Sequence, residues 1–316
     1  MDVLSDVISV MRTGRPHSAR TDRHPPWSVR HPAFPGAGIH VVLRGTCRLT
    51  VSGGEPFTVA PGDVVLLPHG SAHTLADAAS DPPAGPHATP SAELTELHDD
   101  PASDDPASNG AISMLCAAYL LDRGRPHPLL GQLPDAVHIP ARPGRHRSLR
   151  ATVDLLGTEL ERLRPGAGAI RTALLDALLV YLLRAWFQER SDHHLATGWA
   201  AALHDPATLA ALDAIHADPA RRWTVDALAA RAGLSRAAFS RRFTATLAEP
   251  PITYLTWWRM TLAARRLRDS DLPLAAVAEQ VGYGSEFAFA GAFKREYGTA
   301  PGTYRKRSRE SAGGPR

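Results

Sequence analysis

Two stretches in the C-terminal third of the chain place polar and basic residues opposite a pair of phenylalanines. In each stretch the two phenylalanines stand four residues apart, so on a helix they share one face and leave the opposite face outward. The outward candidates are Arg236, Ala237, Ser240, Arg241 and Arg242 in the first stretch, and Ser285, Glu286, Phe287, Lys294 and Arg295 in the second. Arginine and lysine can bind phosphates, and an arginine can hold a guanine edge with two hydrogen bonds. These residue types predict contact with a nucleic acid.

Each stretch forms the second half of a helix-turn-helix pattern. In the first, Thr224 can cap one helix, Gly233 supplies the turn and Ser235 caps the next helix. In the second, about 50 residues later, Gly282 and Ser285 stand at the turn and the cap. The phenylalanine pairs that would be buried are Phe239 with Phe243 and Phe289 with Phe293. The repeat predicts two helix-turn-helix units, a motif that places its second helix in the major groove of double-stranded DNA.

These residues resemble the DNA-binding domain of the AraC/XylS family of bacterial regulators over about a hundred residues. The resemblance is carried by Val277–Glu286, Phe289, Phe293–Gly298, Ala300-Pro301 and Tyr304-Arg305. It implies two reader helices, the first offering Ala237, Ser240 and Arg241 to bases and the second offering Glu286, Phe287 and Gly291. A basic residue is common in the family where Gly291 stands, so we expect base discrimination to depend mainly on the first reader helix.

Charge is distributed unequally along the 316 residues. From Arg221 to the C-terminus there are 17 Lys and Arg against 8 Asp and Glu, a net charge of +9, whereas the remainder carries −6. A basic third is typical of a protein that binds a polyanion. The longest apolar stretch, Ala173 to Phe187, is interrupted by Asp176 and Arg184 and is too short for a membrane span. Two cysteines fit a reducing compartment. The sequence therefore predicts a cytoplasmic protein with no membrane partner.

The N-terminal part predicts a second domain built from strands. Short β-type runs between Ile39 and Ala76, separated by glycines and prolines, predict an antiparallel β-sandwich or β-barrel. Residues 77–110, rich in Pro, Ala, Ser and Asp, predict a mobile insertion, after which residues 111–121 return to the sheet. The run from Gly62 to His73 resembles the second motif of the cupin barrels, which implies a cupin-like fold.

Residues 148–163 and 169–190 have helical periodicity and predict a helical hairpin. The leucine-rich second helix either packs on the barrel or forms a homodimer interface. The predicted fold class is α+β, with an N-terminal antiparallel cupin-like β-barrel and helical hairpin before an all-α double helix-turn-helix domain. The expected boundaries are a sensor and dimerisation domain at 1–190, a linker at 191–205, a DNA-binding domain at 206–306 and a disordered tail at 307–316.

Four residues of the predicted barrel are candidates for sensing: His40, His73, Cys47 and Cys116. A catalytic metal site needs about three converging protein ligands, and the first cupin motif, which carries paired histidines and a glutamate, is absent. We therefore expect no metal, no cofactor and no catalytic residue, with His40 and His73 as the weak alternative for a metal. Cys47 and Cys116 are either inert packing groups or, as redox-responsive relatives of this branch imply for Cys116, thiol sensors.

The resulting hypothesis is a sequence-specific DNA-binding transcription regulator, either an activator, which we favour, or a repressor, whose N-terminal domain responds to a small-molecule or redox effector. Its expected partners are double-stranded DNA, RNA polymerase and a second copy of the chain. One alternative is a metal-dependent cupin enzyme with an accessory helical domain, which would need ligands that the sequence lacks. Another is a purely architectural DNA binder, in which the barrel would have no evident use.

Overall fold

The computed structural model describes residues 3–11, 16–77, 89–90, 111–121, 128–161, 164–192 and 198–312. By their contacts the residues divide into two compact units. The sheet unit comprises residues 12–189, and the helical unit comprises residues 1–11 together with 190–316. None of the described helices is both long and apolar enough to cross a membrane.

Ten strands and twelve helices are defined within the described residues. In chain order they are α1 (Val3–Met11), β1 (His17–Arg23), β2 (Ser28–His31), β3 (Gly36–Arg44), β4 (Cys47–Val51), β5 (Phe57–Val59), β6 (Val64–Leu67), β7 (His73–Asp77), β8 (Thr89–Pro90), β9 (Ile112–Leu120), α2 (Pro128–Gly131), β10 (Val137–Ile139), α3 (Arg147–Glu161), α4 (Ala167–Asp192), α5 (Gly198–His204), α6 (Pro206–Ala217), α7 (Val225–Arg231), α8 (Arg236–Leu247), α9 (Pro251–Asp269), α10 (Leu274–Gln280), α11 (Glu286–Tyr297) and α12 (Pro301–Ala312).

The sheet unit contains two five-stranded sheets with a shared core. The strand order is β1-β9-β3-β6-β10 in the first sheet and β5-β4-β7-β2-β8 in the second. Cys47, Leu49 and Val51 of β4 alternate with partly exposed residues, because successive side chains of a strand point to opposite faces. Their buried side chains join Val65 and Met114 of the first sheet in one apolar cluster. Residues of both sheets therefore form the core of this unit.

The antiparallel cupin-like sheets confirm the coarse prediction, but the predicted closed barrel is wrong. In the described part of the chain, β1 and β10 end the first sheet, β5 and β8 end the second, and no pairing joins the two sheets. A barrel requires that every strand be paired on both sides. The structure is instead a two-layer arrangement in which inward-facing side chains of both sheets meet.

The predicted helical hairpin corresponds to α3 and α4. The side chains of Leu178 and Leu182, at the centre of the apolar face of α4, are fully buried within the chain. They therefore cannot form a surface for a second copy. The prediction that the leucine-rich helix forms a homodimer interface is wrong for these two residues. The large apolar side chains that remain exposed on these helices are Leu155, at 56%, and Ile170, at 44%.

The helical unit contains two helix pairs, α7 with α8 and α10 with α11, and the long helix α9 lies between them in the chain. The N-terminal helix α1 contacts α6 and α9, and its residues Val3, Leu4 and Val7 are buried. The predicted boundary kept residues 1–190 together, whereas these contacts group α1 with the helical unit. The apolar face of α1 explains the difference, because it is covered by helices that follow about 200 residues later.

Three other predicted segments differ from the structure or fall outside it. The predicted linker 191–205 contains α5, whose Trp199 is buried and which packs on α8. The predicted disordered tail begins inside α12, which continues to Ala312. The predicted insertion 77–110 lies outside the described residues except for Asp77 and the short strand at 89–90.

Candidate functional site

The first helix-turn-helix unit is formed by α7 and α8. The hydroxyl of Thr224 accepts a hydrogen bond from the backbone N–H of Ala227 (3.1 Å), which caps α7. Gly233 has φ of +66°, a conformation that favours glycine, and it turns the chain toward α8. The side chains of Phe239 and Phe243 are almost completely buried, with ring centroids 5.5 Å apart. Their burial fixes which face of α8 points outward.

The second unit repeats this arrangement with α10 and α11. Gly282, with φ of +81°, stands in the turn, and the hydroxyl of Ser285 accepts a hydrogen bond from the N–H of Ala288 (3.1 Å). Phe289 and Phe293 are fully buried, with ring centroids 5.8 Å apart. Both predicted units are thus present with their predicted turn residues, caps and core residues.

The predicted contact residues on the outward face of α8 differ in their exposure and in their hydrogen bonds. Arg236, Ala237, Arg241 and Arg242 are exposed, and Ser240 is half-buried. Arg236 pairs with Asp226 (3.1 Å), but both side chains are about two-thirds exposed, so this pair is weak. Arg241 forms no hydrogen bond or ion pair with any described residue. Its guanidinium is therefore available to an anionic partner.

Arg242 is occupied by a structural contact. Its guanidinium donates to both carboxylate oxygens of Asp205, through Nε at 3.0 Å and through Nη2. Asp205 also caps α6 by accepting from the N–H of Thr208 (3.1 Å). Partial burial raises the pKa of Asp205, but hydrogen bonds from Thr208 and Arg242 outweigh this effect and hold the pKa below its usual value. Arg242 thus anchors α8 to the start of α6.

The outward face of α11 has a different character. Ser285, Glu286, Lys294 and Arg295 are exposed, and Phe287 is 92% exposed. The two cations lie in the last turns of the helix, whereas its first turn carries a carboxylate. The positive charge of α11 therefore lies in its C-terminal half.

Arg259 on α9 is a positioning residue that sequence reasoning missed. Its guanidinium donates to the backbone carbonyls of Pro219 (2.7 Å) and Arg221 (2.8 Å), in the loop before α7. A Cβ on Gly282, in the turn of the second unit, would lie 2.5 Å from the carbonyl oxygen of Ala220 in the same loop. The second helix-turn-helix unit therefore lies close to the loop that leads into the first one, and this contact fixes the spacing of α8 and α11. The signal in the sequence is an arginine among the apolar residues of α9.

A second missed group ties α1 to the helical unit. The Nδ1 of His216 on α6 lies 3.3 Å from Oδ2 of Asp6, and its Nε2 lies 2.7 Å from the hydroxyl of Tyr254 on α9. Burial lowers the pKa of His216, although Asp6 opposes this shift. A neutral His216 can donate from Nδ1 to Asp6 and accept at Nε2 from Tyr254, so all three buried polar groups are satisfied. No local sequence pattern links residues so far apart.

In the sheet unit, three of the four predicted sensing residues lie in one buried chain of contacts. His40 on β3 has Nδ1 3.2 Å from Sγ of Cys116 on β9 and Nε2 2.8 Å from Nε2 of His73 on β7. Nδ1 of His73 lies 2.9 Å from the carbonyl oxygen of Ser71, which can only accept, so His73 donates there. His40 must then donate to His73 and accept from the Cys116 thiol. The contacts form a directed relay from the thiol to a backbone carbonyl.

Burial governs the protonation of this cluster. It lowers the pKa of His40 well below its ordinary value, and repulsion from His73 adds to the effect. Burial also lowers the pKa of His31, which stacks on His73, to about 4. Burial raises the pKa of Cys116 to about 11, although Arg23 and Thr21 oppose the shift. At neutral pH the histidines are therefore uncharged and Cys116 is a thiol.

Cys47 lies apart from the relay. Burial raises its pKa to about 12, with further contributions from Cys116 and Asp63. Its Sγ lies 4.0 Å from the Met114 sulfur in the apolar core, and neither cysteine is in a disulfide. Cys47 is thus a packing group in this structure.

The histidines do not fit the metal ion that a cupin fold implies. In the described residues no group of three or more His, Cys, Asp or Glu is placed to hold a metal. The Nε2 atoms of His40 and His73, which would be the ligands, are directed at each other in a hydrogen bond. A ligating nitrogen must keep its lone pair for the metal.

Two family patterns match the chain. The family described as "Cupin" matches residues 2–188, and the family described as "Helix-turn-helix domain" matches residues 228–307. A cupin-like unit followed by two helix-turn-helix units with basic outward faces is the architecture of a DNA-binding transcription regulator.

Similarity to known transcription regulators extends over almost the whole length of the chain. The chain is 37% identical to an AraC-like transcription regulator of Streptomyces lividans, covering 97% of this chain and 98% of that protein. It is 29% identical to the RCS-specific HTH-type transcriptional activator RclR of Escherichia coli (strain K12), covering 90% of each. A crystal structure of the DNA-binding domain of AdpA with a target DNA shares 32% identity, covers 35% of this chain and 99% of that one, and has a TM-score of 0.33. The chain belongs to the AraC family of transcription regulators.

Proposed function

We propose that this regulator binds a specific DNA sequence through α8 and α11 and activates transcription in response to a signal sensed by the sheet unit. The observation that carries the DNA-binding part is Arg241, which is exposed on the face of α8 opposite the buried Phe239 and Phe243. A guanidinium in this position can hold a guanine with two hydrogen bonds. On α11, Lys294 and Arg295 bind phosphates, and Glu286 and Phe287 contribute the lesser part of base recognition.

The test is footprinting of the full-length protein on DNA upstream of its own gene, with unrelated DNA as competitor. We expect a defined protected site and an affinity that falls with salt, with a slope of log affinity against log salt near −0.9 per phosphate contact. Equal competition by unrelated DNA would favour an architectural binder instead. An affinity that does not depend on salt would contradict the proposed phosphate contacts.

The sensing part of the proposal rests on the buried relay of Cys116, His40 and His73. Sγ of Cys116 lies 3.2 Å from His40 Nδ1, so a histidine nitrogen faces the thiol, although the raised pKa of Cys116 and the lowered pKa of His40 both oppose transfer of the thiol proton. An oxidant or electrophile is one class of signal that this arrangement could detect, and a small molecule is the other. In the redox version, oxidant should change DNA affinity in the wild type and in Cys47→Ser but not in Cys116→Ser. An unchanged response in Cys116→Ser would show that this thiol only packs.

The remaining parts of the proposal concern partners. Activation implies contact with RNA polymerase, and the name of the Escherichia coli relative, an activator, supports that direction. We propose a cytoplasmic homodimer, in which the exposed Leu155 of α3 and Ile170 of α4 are the candidate apolar contacts. Light scattering on the full-length protein tests it, and Leu155→Glu should yield monomers.

We propose no enzymatic activity, because the described residues do not fit the metal ion of a cupin enzyme.

A further inference from the structure

A cavity of about 210 Å³ lies in the sheet unit between β3, β6, β10 and the first turns of α3. Its apolar walls come from Val64, Ile139, Leu149 and Val153, all of them buried. It is separate from the relay of Cys116, His40 and His73, none of which lines it. The sheet unit therefore contains a second candidate site.

Three arginines line this cavity: Arg142, Arg145 and Arg150. The one acidic residue among the described residues of the lining is Asp154, which is exposed to solvent. The cavity also lies at the first turn of the 15-residue helix α3, whose N-terminal end carries a partial positive charge. We call this cavity, with its apolar walls and three guanidinium groups, the arginine pocket. Its electrostatics favour an anion.

The position of Arg150 depends on a glycine. The guanidinium of Arg150 donates to the carbonyl oxygen of Gly62 (3.2 Å), and a Cβ on Gly62 would come within 2.4 Å of Nη2. Gly62 also has φ of +83°, which other residues rarely adopt. The glycine thus allows the arginine to lie against the backbone and fixes where its remaining N–H donors are presented.

Asp63 holds the walls of the pocket in place. Its carboxylate accepts hydrogen bonds from the N–H of Ala60 (3.0 Å), the N–H of Ala141 (2.7 Å) and Nε2 of His138 (2.9 Å). These contacts join the turn before β6 to β10 and the residues that follow it. A site formed before its ligand arrives loses less entropy on binding, which favours affinity.

We propose that the arginine pocket binds a small organic acid, with its carboxylate on Arg142 and Arg150 and its apolar body against Ile139, Leu149 and Val153. An apolar cavity of about 150 Å³ holds one benzene molecule, so 210 Å³ fits a body of about six carbons with one carboxylate. The proposal deepens the sensing role and rests on it, because such an acid would be the effector of the regulator.

The pocket has a direct connection to the end of the sheet unit. His146 lines the pocket, and its Nε2 lies 3.2 Å from Oε1 of Glu189 on α4. Glu189 is the last residue of the sheet unit, and α4 continues from it to Asp192. A ligand that moves His146 would therefore act on the segment that leaves this unit.

Calorimetric titration of the full-length protein tests the assignment, with benzoate and hexanoate as probes and benzyl alcohol, hexanol and inorganic phosphate as comparators. We expect at least one of the two acids to bind, and to bind more tightly than its alcohol and than phosphate. Arg142→Gln and Arg150→Gln should each weaken acid binding by about tenfold to a hundredfold, the effect of losing a charge-assisted hydrogen bond. Arg147→Gln removes the same charge from an exposed position of α3 that does not line the pocket, so it should bind as the wild type does.

Several outcomes would overturn the assignment. They are no binding of either acid, equal binding of acid and alcohol, phosphate binding as tight as acid binding, and an equal loss in Arg147→Gln. Because Arg142 is exposed, its variant remains informative even if Arg150→Gln fails to fold. DNA binding is measured separately by footprinting, so a failure of the pocket leaves the proposed regulator intact. Acid binding without any DNA site would instead contradict the regulator.

Discussion

The two helix-turn-helix units have the same interior but different surfaces. Each buries two phenylalanines four residues apart and caps its reader helix with a serine hydroxyl. Outside, α8 carries three arginines, whereas α11 begins with Glu286 and the exposed Phe287. The position of Arg241 on α8 corresponds to Gly291 on α11, which has no side chain to reach a base. The comparison teaches that the packing residues define the unit, and that the outward residues decide what each unit can read.

The two helix-turn-helix units also differ in the helices that pack against them. The first packs on α6, which is capped by Asp205 and contacts α1, whereas α12 packs against α11 and α9 on the side of the second. Residues from the start of the chain thus support the first unit through α6, and they also contact α9, against which both helix-turn-helix units pack. Differences in surface and in support can be tested separately.

The largest effects on stability should come from the buried phenylalanines that each helix-turn-helix unit contains. Phe243→Ala and Phe293→Ala should each lower the free energy of unfolding of the helical unit by about 3–5 kcal/mol, because both remove a fully buried aromatic side chain. Urea denaturation followed by circular dichroism measures the loss. If one substitution were tolerated within about 1 kcal/mol, the two interiors would not be equivalent.

Removing the hydrogen bond between Asp6 and His216, which supports the first helix-turn-helix unit, should lower stability by a smaller amount and locally. Asp6→Ala leaves the buried Nδ1–H of His216 without its acceptor and should cost about 1–3 kcal/mol. Hydrogen exchange should then speed up in α6 while α11 stays protected. Asp6→Asn keeps an acceptor oxygen and is the matched control. Equal loss of protection in both units would contradict the asymmetry.

The surface difference predicts unequal roles in DNA recognition. Arg241→Ala should cost about 1–3 kcal/mol of binding free energy on the specific site, and less on scrambled DNA. Arg241→Lys keeps the charge but loses the planar fork, so it should retain affinity for scrambled DNA while losing discrimination. Mobility-shift titrations on both DNAs measure these differences. An equal loss on the two DNAs would reduce Arg241 to a phosphate contact.

The smallest predicted effects concern the ends of the reader helices. Ala248 ends α8 with φ of +61°, and Gly298 ends α11 with φ of +68°. Because this conformation is strained for alanine, Ala248→Gly should raise the stability of the helical unit by about 1 kcal/mol and Gly298→Ala should lower it by a similar amount. Thermal unfolding measures both. A change of the same sign in the two variants would be inconsistent with equivalent caps.

Local patterns made the helical unit predictable. The turn glycines, the serine caps and the phenylalanine pairs act within a few residues of one another, so their spacing alone indicates two helix-turn-helix units. The same patterns could not separate Arg242 from Arg241. One is held by Asp205, 37 residues away, and the other is not, and only the packing of α6 against α8 reveals this.

In the sheet unit the elements were predictable but their assembly was not. The short runs of β-forming residues corresponded to strands, whereas the pairing that aligns His40 with Cys116 depends on a register between strands about 70 residues apart. The closed barrel failed for the same reason, since no local signal tells which strands remain at a sheet edge. The arginine pocket combines residues of three strands and a helix, and none of its arginines stands out in the sequence.

The packing of α1 has a consequence for synthesis of the chain. Asp6 and His216 are 210 residues apart. Because ribosomes add about 5–20 residues per second, His216 is synthesised about 10–40 s after Asp6. During that interval the whole sheet unit is translated while the apolar face of α1 has no native partner. The apolar face of α1 is therefore open to solvent or to non-native contacts until α6 and α9 have been synthesised.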